Sequence, residues 1–149
     1  MSESVSQRNW DMRFLDQAKL VASWSKDPST QVGAVIVDEN HRVVSQGFNG
    51  FARGVTDSKT RLRTRDVKYR LVIHAECNAI LFAQRQLAGC TMYSWPLQPC
   101  AQCASMLIQV GIPRVVSVPP AADKLDRWGK DMNLAREIIE EGGASLLLI

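Results

Sequence analysis

The sequence predicts a single α/β domain, an α/β/α sandwich on a mixed sheet of about five strands. Three observations carry that expectation. The chain has 149 residues, one domain's worth. Its composition, 46% apolar and 22% charged, supplies both a hydrophobic core and a solvated surface. Its apolar patterning runs helix, hairpin, then alternating helix and strand. No linker, repeat or composition break divides residues 1–149, so they are read as one domain.

The elements follow in order. Residues 8–25 predict a helix, because Trp10, Phe14, Ala18, Val21 and Ala22 recur at steps of three and four. Lys26-Asp27-Pro28 ends it, since the residue before proline avoids helical geometry. Residues 32–38 and 42–48 predict two strands joined by a tight turn. Residues 49–72 read as a long irregular stretch, and loops of that length in compact domains carry function or move. A helix is expected over 75–86, closed by Gly89, then a short strand over 90–94. Residues 100–110 predict a second helix, with Gly111 as C-cap and Pro113 beyond it. Strands over 114–118 and 144–149 flank a helix over 131–141 that Gly142-Gly143 stops.

Composition excludes several classes. The balance of apolar and charged residues is not that of a disordered, collagenous or low-complexity chain. No run approaches the ~20 apolar residues of a membrane helix. The N-terminus, Met1 to Gln7, shows no basic segment followed by an apolar one, so the expected location is the cytoplasm. Net charge is +3, and residues 53–70 hold seven basic residues against two acidic ones. That segment either meets an anion or is a solvated loop. A nucleic-acid partner would want a broad basic face, and one basic segment does not make one.

Four cysteines, Cys77, Cys90, Cys100 and Cys103, stand in a chain with no visible export signal. In that setting Cys-x-x-Cys reads as a metal or redox motif before a disulfide. Cys77 and Cys90 are read as buried and inert. Cys100 and Cys103, three apart at a helix start, put both sulfurs on one face of the first turn, where the helix dipole favours thiolates. His74 opens the preceding helix, and twenty-five residues separate it from Cys100. If both helices begin at one sheet edge, one imidazole and two thiolates converge. That donor set suits Zn²⁺, one catalytic ion per chain, and leaves its fourth position open. Glu76, two residues past His74, is placed to move a proton from the water such a site activates. His-x-Glu followed by Pro-Cys-x-x-Cys is the general signature of zinc deaminases, in which the glutamate is not a ligand. Taken singly, each piece has a plainer reading: a core histidine, a dipole-matching glutamate, a redox pair. A zinc-stabilised binding module needs no acid/base group beside the metal.

With these residues in place, the chain resembles the cytidine and deoxycytidylate deaminase superfamily, and within it the dCMP deaminases. Ser25-Lys26-Asp27-Pro28-Ser29-Thr30-Gln31-Val32-Gly33-Ala34, Gly47-Phe48-Asn49-Gly50, His74-Ala75-Glu76-Cys77-Asn78-Ala79-Ile80 and Ile108-Gln109-Val110-Gly111-Ile112 carry the likeness, from about Trp10 to Val118. Phe48 stands where the family has tyrosine and Cys77 where it has leucine. The segment 123–130, with Arg127-Trp128, does not match those enzymes.

The resemblance implies a cytidine-deaminase-like fold and hydrolysis of dCMP to dUMP, which would supply dUMP for dTMP synthesis. Glu76 would take the proton of the activated water, deliver it to the pyrimidine N3 and help protonate the leaving ammonia. The Ala75 backbone N–H would bind O2, Asn49 the sugar, and the backbone around residues 95–98 the base amino group. Lys26 is the first candidate for the 5′-phosphate, with Ser25 and Arg53 as helpers and the 61–70 cluster as the alternative. Lys26 also reads as a charge complementing a helix C-terminus, and Asn49 as a turn former. Trp95 is the tryptophan expected to line the pocket. Phe82 and Arg85 suit a subunit interface, with Phe82 alternatively in the core. The resemblance further implies a homo-oligomer, hexamer or dimer, with dCTP and dTTP as candidate regulators and a small-molecule deoxynucleotide as substrate. A free nucleoside, a modified cytosine nucleotide or a tRNA adenosine is the alternative substrate.

Overall fold

The computed structural model describes residues 4–149; Met1, Ser2 and Glu3, the start of the stretch read for an export signal, lie outside the described residues. Helix α1 spans Val5–Ala22. It starts three residues earlier than the apolar period suggests, because the Ser4 side chain caps it by accepting from the Gln7 N–H at 3.0 Å. It also ends earlier, and Ser25 leaves the helix to donate its hydroxyl to the Asn49 carbonyl at 2.8 Å.

Strands β1 (Gly33–Val37) and β2 (Val43–Phe48) form the expected hairpin. The 49–72 stretch is more ordered than its sequence suggests. Two short helices, α2 (Lys59–Arg63) and α3 (Arg65–Leu71), lie within it. Neither carries an apolar stripe, and Lys68 is the one buried residue on them, so no period announces them.

Helix α4 covers Ala75–Ala83 and stops before the expected 86, because Gln84 takes the left-handed conformation at φ 52°. Strand β3 (Thr91–Trp95) leads to helix α5 (Ala101–Gln109), whose N-cap is Cys100 and whose C-cap is Val110, with Gly111 next at φ 85°. Strand β4 (Arg114–Ser117), helix α6 (Ala122–Glu141) and strand β5 (Ser145–Leu148) complete the chain. Helix α6 begins nine residues before the expected 131. Its first half is largely polar and includes Gly129, which hides the helix from an apolar-period reading.

The sheet order is β2-β1-β3-β4-β5. β1 pairs antiparallel with β2 and β3, while β3, β4 and β5 are parallel, so the sheet is mixed as expected. Strand alternation sorts the core between two faces. Val35, Val37, Tyr93 and Val116 meet Phe14, Leu15, Ala18 and Val21 of α1. On the other face Ala34, Ile36, Met92 and Val115 meet Ala79 of α4, Leu107 of α5 and Ile139 of α6. Burial of each large side chain contributes about 1.5–3 kcal/mol.

Two features lock the helices on the sheet. At Gly47 a Cβ would stand 2.5 Å from the Ala75 carbonyl and 2.6 Å from the Ala79 nitrogen, so α4 rests on β2 backbone to backbone. On the α1 side, fully buried Asp11 accepts from Arg114 at 2.6 and 2.8 Å and from the Tyr93 hydroxyl at 2.6 Å. Among the described residues, no helix is long and apolar enough to cross a membrane.

Candidate active site

The β3–α5 connection and the start of α4 bring two helix N-termini together. His74 is the N-cap of α4 and Cys100 the N-cap of α5, both with extended backbone. Because a cap residue is not yet helical, His74 and Glu76 escape the rule that side chains two apart on a helix face away from each other. Cys103 lies in the first turn of α5. The His74 Nδ1 is 3.4 Å from the Cys100 Sγ and 3.4 Å from the Cys103 Sγ, and the three donor atoms all lie within 4.8 Å of one another. A four-coordinate tetrahedral zinc with bonds of about 2.0–2.3 Å sets its donors roughly 3.3–3.8 Å apart. The spacing and the mixed nitrogen–sulfur donor set therefore fit Zn²⁺.

Electrostatics at this corner follow from burial and proximity. A hydrogen bond with Cys103, joined by one with His74, pulls the Cys100 thiol down to about 4. Hydrogen bonds that the Cys103 thiol donates to Cys100 and Cys77, together with burial, push it up. The hydrogen bond to Cys100, with the Glu76 charge nearby, raises His74 to about 9. Ligation of a metal releases the protons these groups hold. Glu76 is buried, and burial pushes its carboxyl up to about 7 against the pull of His74. Its Oε1 is a buried oxygen with no hydrogen-bond partner among the described residues. An unpaired buried carboxylate oxygen is costly, and it is retained where it has chemistry to do.

A cavity of about 430 Å³ opens beside these groups. Ala75 and Glu76 line it at its buried end together with His74 and Cys100. Asn49 lines it too, with both ends of its amide engaged: Oδ1 accepts from the Val32 N–H at 2.9 Å and Nδ2 donates to the Thr30 carbonyl at 2.9 Å. Leu97 and Gln98 bring the segment before the cysteines to the wall.

Other expected residues lie elsewhere. Lys26 is exposed, pairs with Asp57 at 2.8 Å and does not line this cavity; its neighbour Asp27 does. Ser25 acts one step back, through its bond to the Asn49 carbonyl. Trp95 sits on the α1 face with Tyr93, since alternate residues of β3 share a side, and the Lys19 ammonium lies 5.5 Å from its ring centroid. Arg53 places its guanidinium 5.7 Å from the Phe82 ring centroid, so two expected residues meet each other away from the cavity. Phe82 is exposed, which removes its core alternative, and Arg85 donates to the Gln86 carbonyl at 3.0 Å. Cys90 is buried as read, but Cys77 is half-buried with its Sγ 3.7 Å from the Cys103 Sγ.

The sequence marks some wall residues only as members of a segment, Lys68 within the basic 61–70 cluster and Arg127-Trp128 within the stretch that departs from the family. Buried Lys68 pairs with half-buried Asp27 at 3.3 Å. The basic 53–70 segment contained Lys68, but nothing in its surroundings distinguished it from its neighbours. Arg127 and Trp128 come from the half of α6 that the apolar period missed. Asp131 accepts from the Ala101 N–H at 3.1 Å and so satisfies a first-turn donor of α5.

Comparison with known proteins places this geometry. The family model described as the cytidine and deoxycytidylate deaminase zinc-binding region matches residues 8–118. An uncharacterized deaminase in the luxG 3′ region of Aliivibrio fischeri is 46% identical over 137 residues, 92% of this chain and 91% of that one. Deoxycytidylate deaminase of Mus musculus is 42% identical over 113 residues, 72% of this chain and 63% of that one, so the match spans less than two thirds of the mouse protein. The dCMP deaminase of cyanophage S-TIM5, solved with dCMP and dUMP, superposes with a TM-score of 0.75 at 17% identity, covering 99% of this chain and 100% of that one, a likeness of fold.

Proposed function

The chain belongs to the cytidine and deoxycytidylate deaminase zinc-binding family, and from that membership we propose that it hydrolyses dCMP to dUMP and ammonia. The observation that carries the reading is buried Glu76, with its unpartnered oxygen, beside a donor set fit for zinc. His74, Cys100 and Cys103 hold the ion. When bound, Zn²⁺ supplies a Lewis acid that makes water a nucleophile near neutral pH. Glu76 takes the proton of the attacking water and delivers it to the pyrimidine N3. It then carries the remaining proton of the oxygen added at C4 to the departing amine, so that the C4–N bond breaks, ammonia leaves and a carbonyl stands at C4. The Ala75 N–H, in the first turn of α4, has no partner within its helix and suits the pyrimidine O2. Asn49 holds the sugar side of the cavity, while Gln98 and Leu97 enclose the base.

The cavity, at about 430 Å³, has the scale of a small-molecule site, which favours a free nucleotide over a polymer. Exposed Phe82 and Leu81 suit contact with a second copy of the chain in a homo-oligomer. A role in cytoplasmic pyrimidine nucleotide metabolism, with dCTP and dTTP as regulators, follows from the family reading alone. The test is ammonia release from dCMP and from deoxycytidine, side by side, with zinc-loaded protein. Turnover of dCMP well above deoxycytidine is expected. Release from neither, with zinc bound and the fold intact, would overturn the reading.

A further inference from the structure

The charges around the cavity are mostly spoken for. Lys68 and Asp27 neutralise each other inside the wall. Asp131 is engaged by the Ala101 N–H, and Glu76 belongs to the buried end. Lys124, just off the lining, donates to the Thr30 hydroxyl at 2.7 Å and lies 3.7 Å from Asp123. Arg127 differs from all of these. It lines the cavity at its exposed end, and among the described residues no carboxylate lies within ion-pair distance of it.

Its two contacts fix its position without cancelling its charge. The Nη2 donates to the Tyr69 hydroxyl at 2.5 Å, and the guanidinium carbon lies 4.8 Å from the Trp128 ring centroid. A guanidinium has five N–H donors, and a neutral phenol takes one. The others are held in a fixed plane, which suits two-point bonding to a phosphate or carboxylate. Tyr69 comes from α3 and Arg127 from α6, so the pair bridges the two elements that flank the cavity's exposed end.

On the deamination reading, the base reacts at the buried end beside Glu76, and the nucleotide's 5′ end points outward. We propose that Arg127, oriented by Tyr69 and stacked on Trp128, binds the substrate's 5′-phosphate and makes the site selective for nucleoside monophosphates over nucleosides. Arg127 then takes the role that the sequence suggested for Lys26. Tyr69 is a positioning residue.

The experiment compares wild type with Arg127→Gln, Arg127→Lys and Tyr69→Phe, and uses Arg8→Gln, an exposed arginine of α1 outside the cavity lining, as the control that should match wild type. It reads kinetics on dCMP and deoxycytidine, and dUMP binding by calorimetry. Arg127→Gln should raise KM for dCMP and weaken dUMP binding by about 10–100-fold, as expected for loss of a charge-assisted two-point contact. Its preference for dCMP over deoxycytidine should fall by the same factor. Arg127→Lys should recover part of the loss, and Tyr69→Phe should raise KM a few-fold. Unchanged dUMP binding, or equal losses on dCMP and deoxycytidine, would overturn the proposal. If Arg127→Gln does not fold, Arg127→Lys and Tyr69→Phe decide, and dUMP binding unchanged in both would overturn it equally. The two readings separate cleanly. A wild type that binds dUMP through Arg127 but releases no ammonia from dCMP would sink the deamination reading and leave the phosphate site standing.

Discussion

His74, Glu76, Cys100 and Cys103 come from two short stretches of chain, each ending in a first helical turn, whereas the rest of the cavity wall draws on residues near 27, 69, 98 and 127. The metal corner depends on local geometry. A cap histidine, and two cysteines three apart, are aimed by the backbone of their own helices. The cavity mouth depends on where α3 and α6 come to lie on either side of it, joined by the bond of Arg127 to Tyr69. Chemistry is thus lodged in the rigid, locally specified part, and selectivity in the part that tertiary contacts assemble.

The sharpest way to break this contrast is to remove a ligand. Cys103→Ala should lower bound zinc to well below one per chain and abolish dCMP turnover, checked by metal analysis beside ammonia release. Retention of full zinc would mean that the donor set is misassigned. Glu76→Gln separates chemistry from assembly: zinc content and thermal midpoint should hold, while kcat falls by about 10²–10⁴-fold. Loss of zinc in that variant would make Glu76 a structural residue.

A third variant tests the scaffold under both regions. Burial pushes the Asp11 carboxyl up, but its bonds from Arg114, Tyr93 and Gln7 outweigh this and hold it below its usual value. A carboxylate depressed in the folded state adds stability that is complete above its unfolded pKa of about 3.9 and fades as pH falls through the lower folded value. Asp11→Asn should therefore destabilise the protein near pH 7 by about 3–5 kcal/mol, as for a broken buried pair. The deficit should shrink below about pH 4, where the wild type loses the same contribution. Urea melts across that range check it, and a deficit independent of pH would contradict it. The smallest effect belongs to Lys26, whose partner Asp57 is exposed like itself. Lys26→Gln should change KM for dCMP by less than about twofold, since an exposed pair contributes little. A tenfold rise would return the phosphate to the residue the sequence first suggested and dissolve the contrast at the mouth.

What could be read from the sequence follows the same division. The strands announced themselves by short apolar runs such as residues 32–37, and the zinc donors by spacings that a helix start turns into geometry. Helices α2, α3 and the first half of α6 were hidden because they bury almost nothing and so carry no apolar period. Strand alternation alone sends Trp95 to the side of Tyr93, away from the pocket it is expected to line. The ion pair of Lys68 with Asp27 and the bond of Arg127 to Tyr69 join residues 41 and 58 positions apart, and no local pattern encodes them.

The most direct test of the account is a zinc titration of chelator-stripped protein, followed by dCMP turnover at each step. Turnover should rise in proportion to added zinc and level off at one ion per chain. Turnover that ignores zinc, or one bound zinc per chain with no deamination of dCMP, would contradict it.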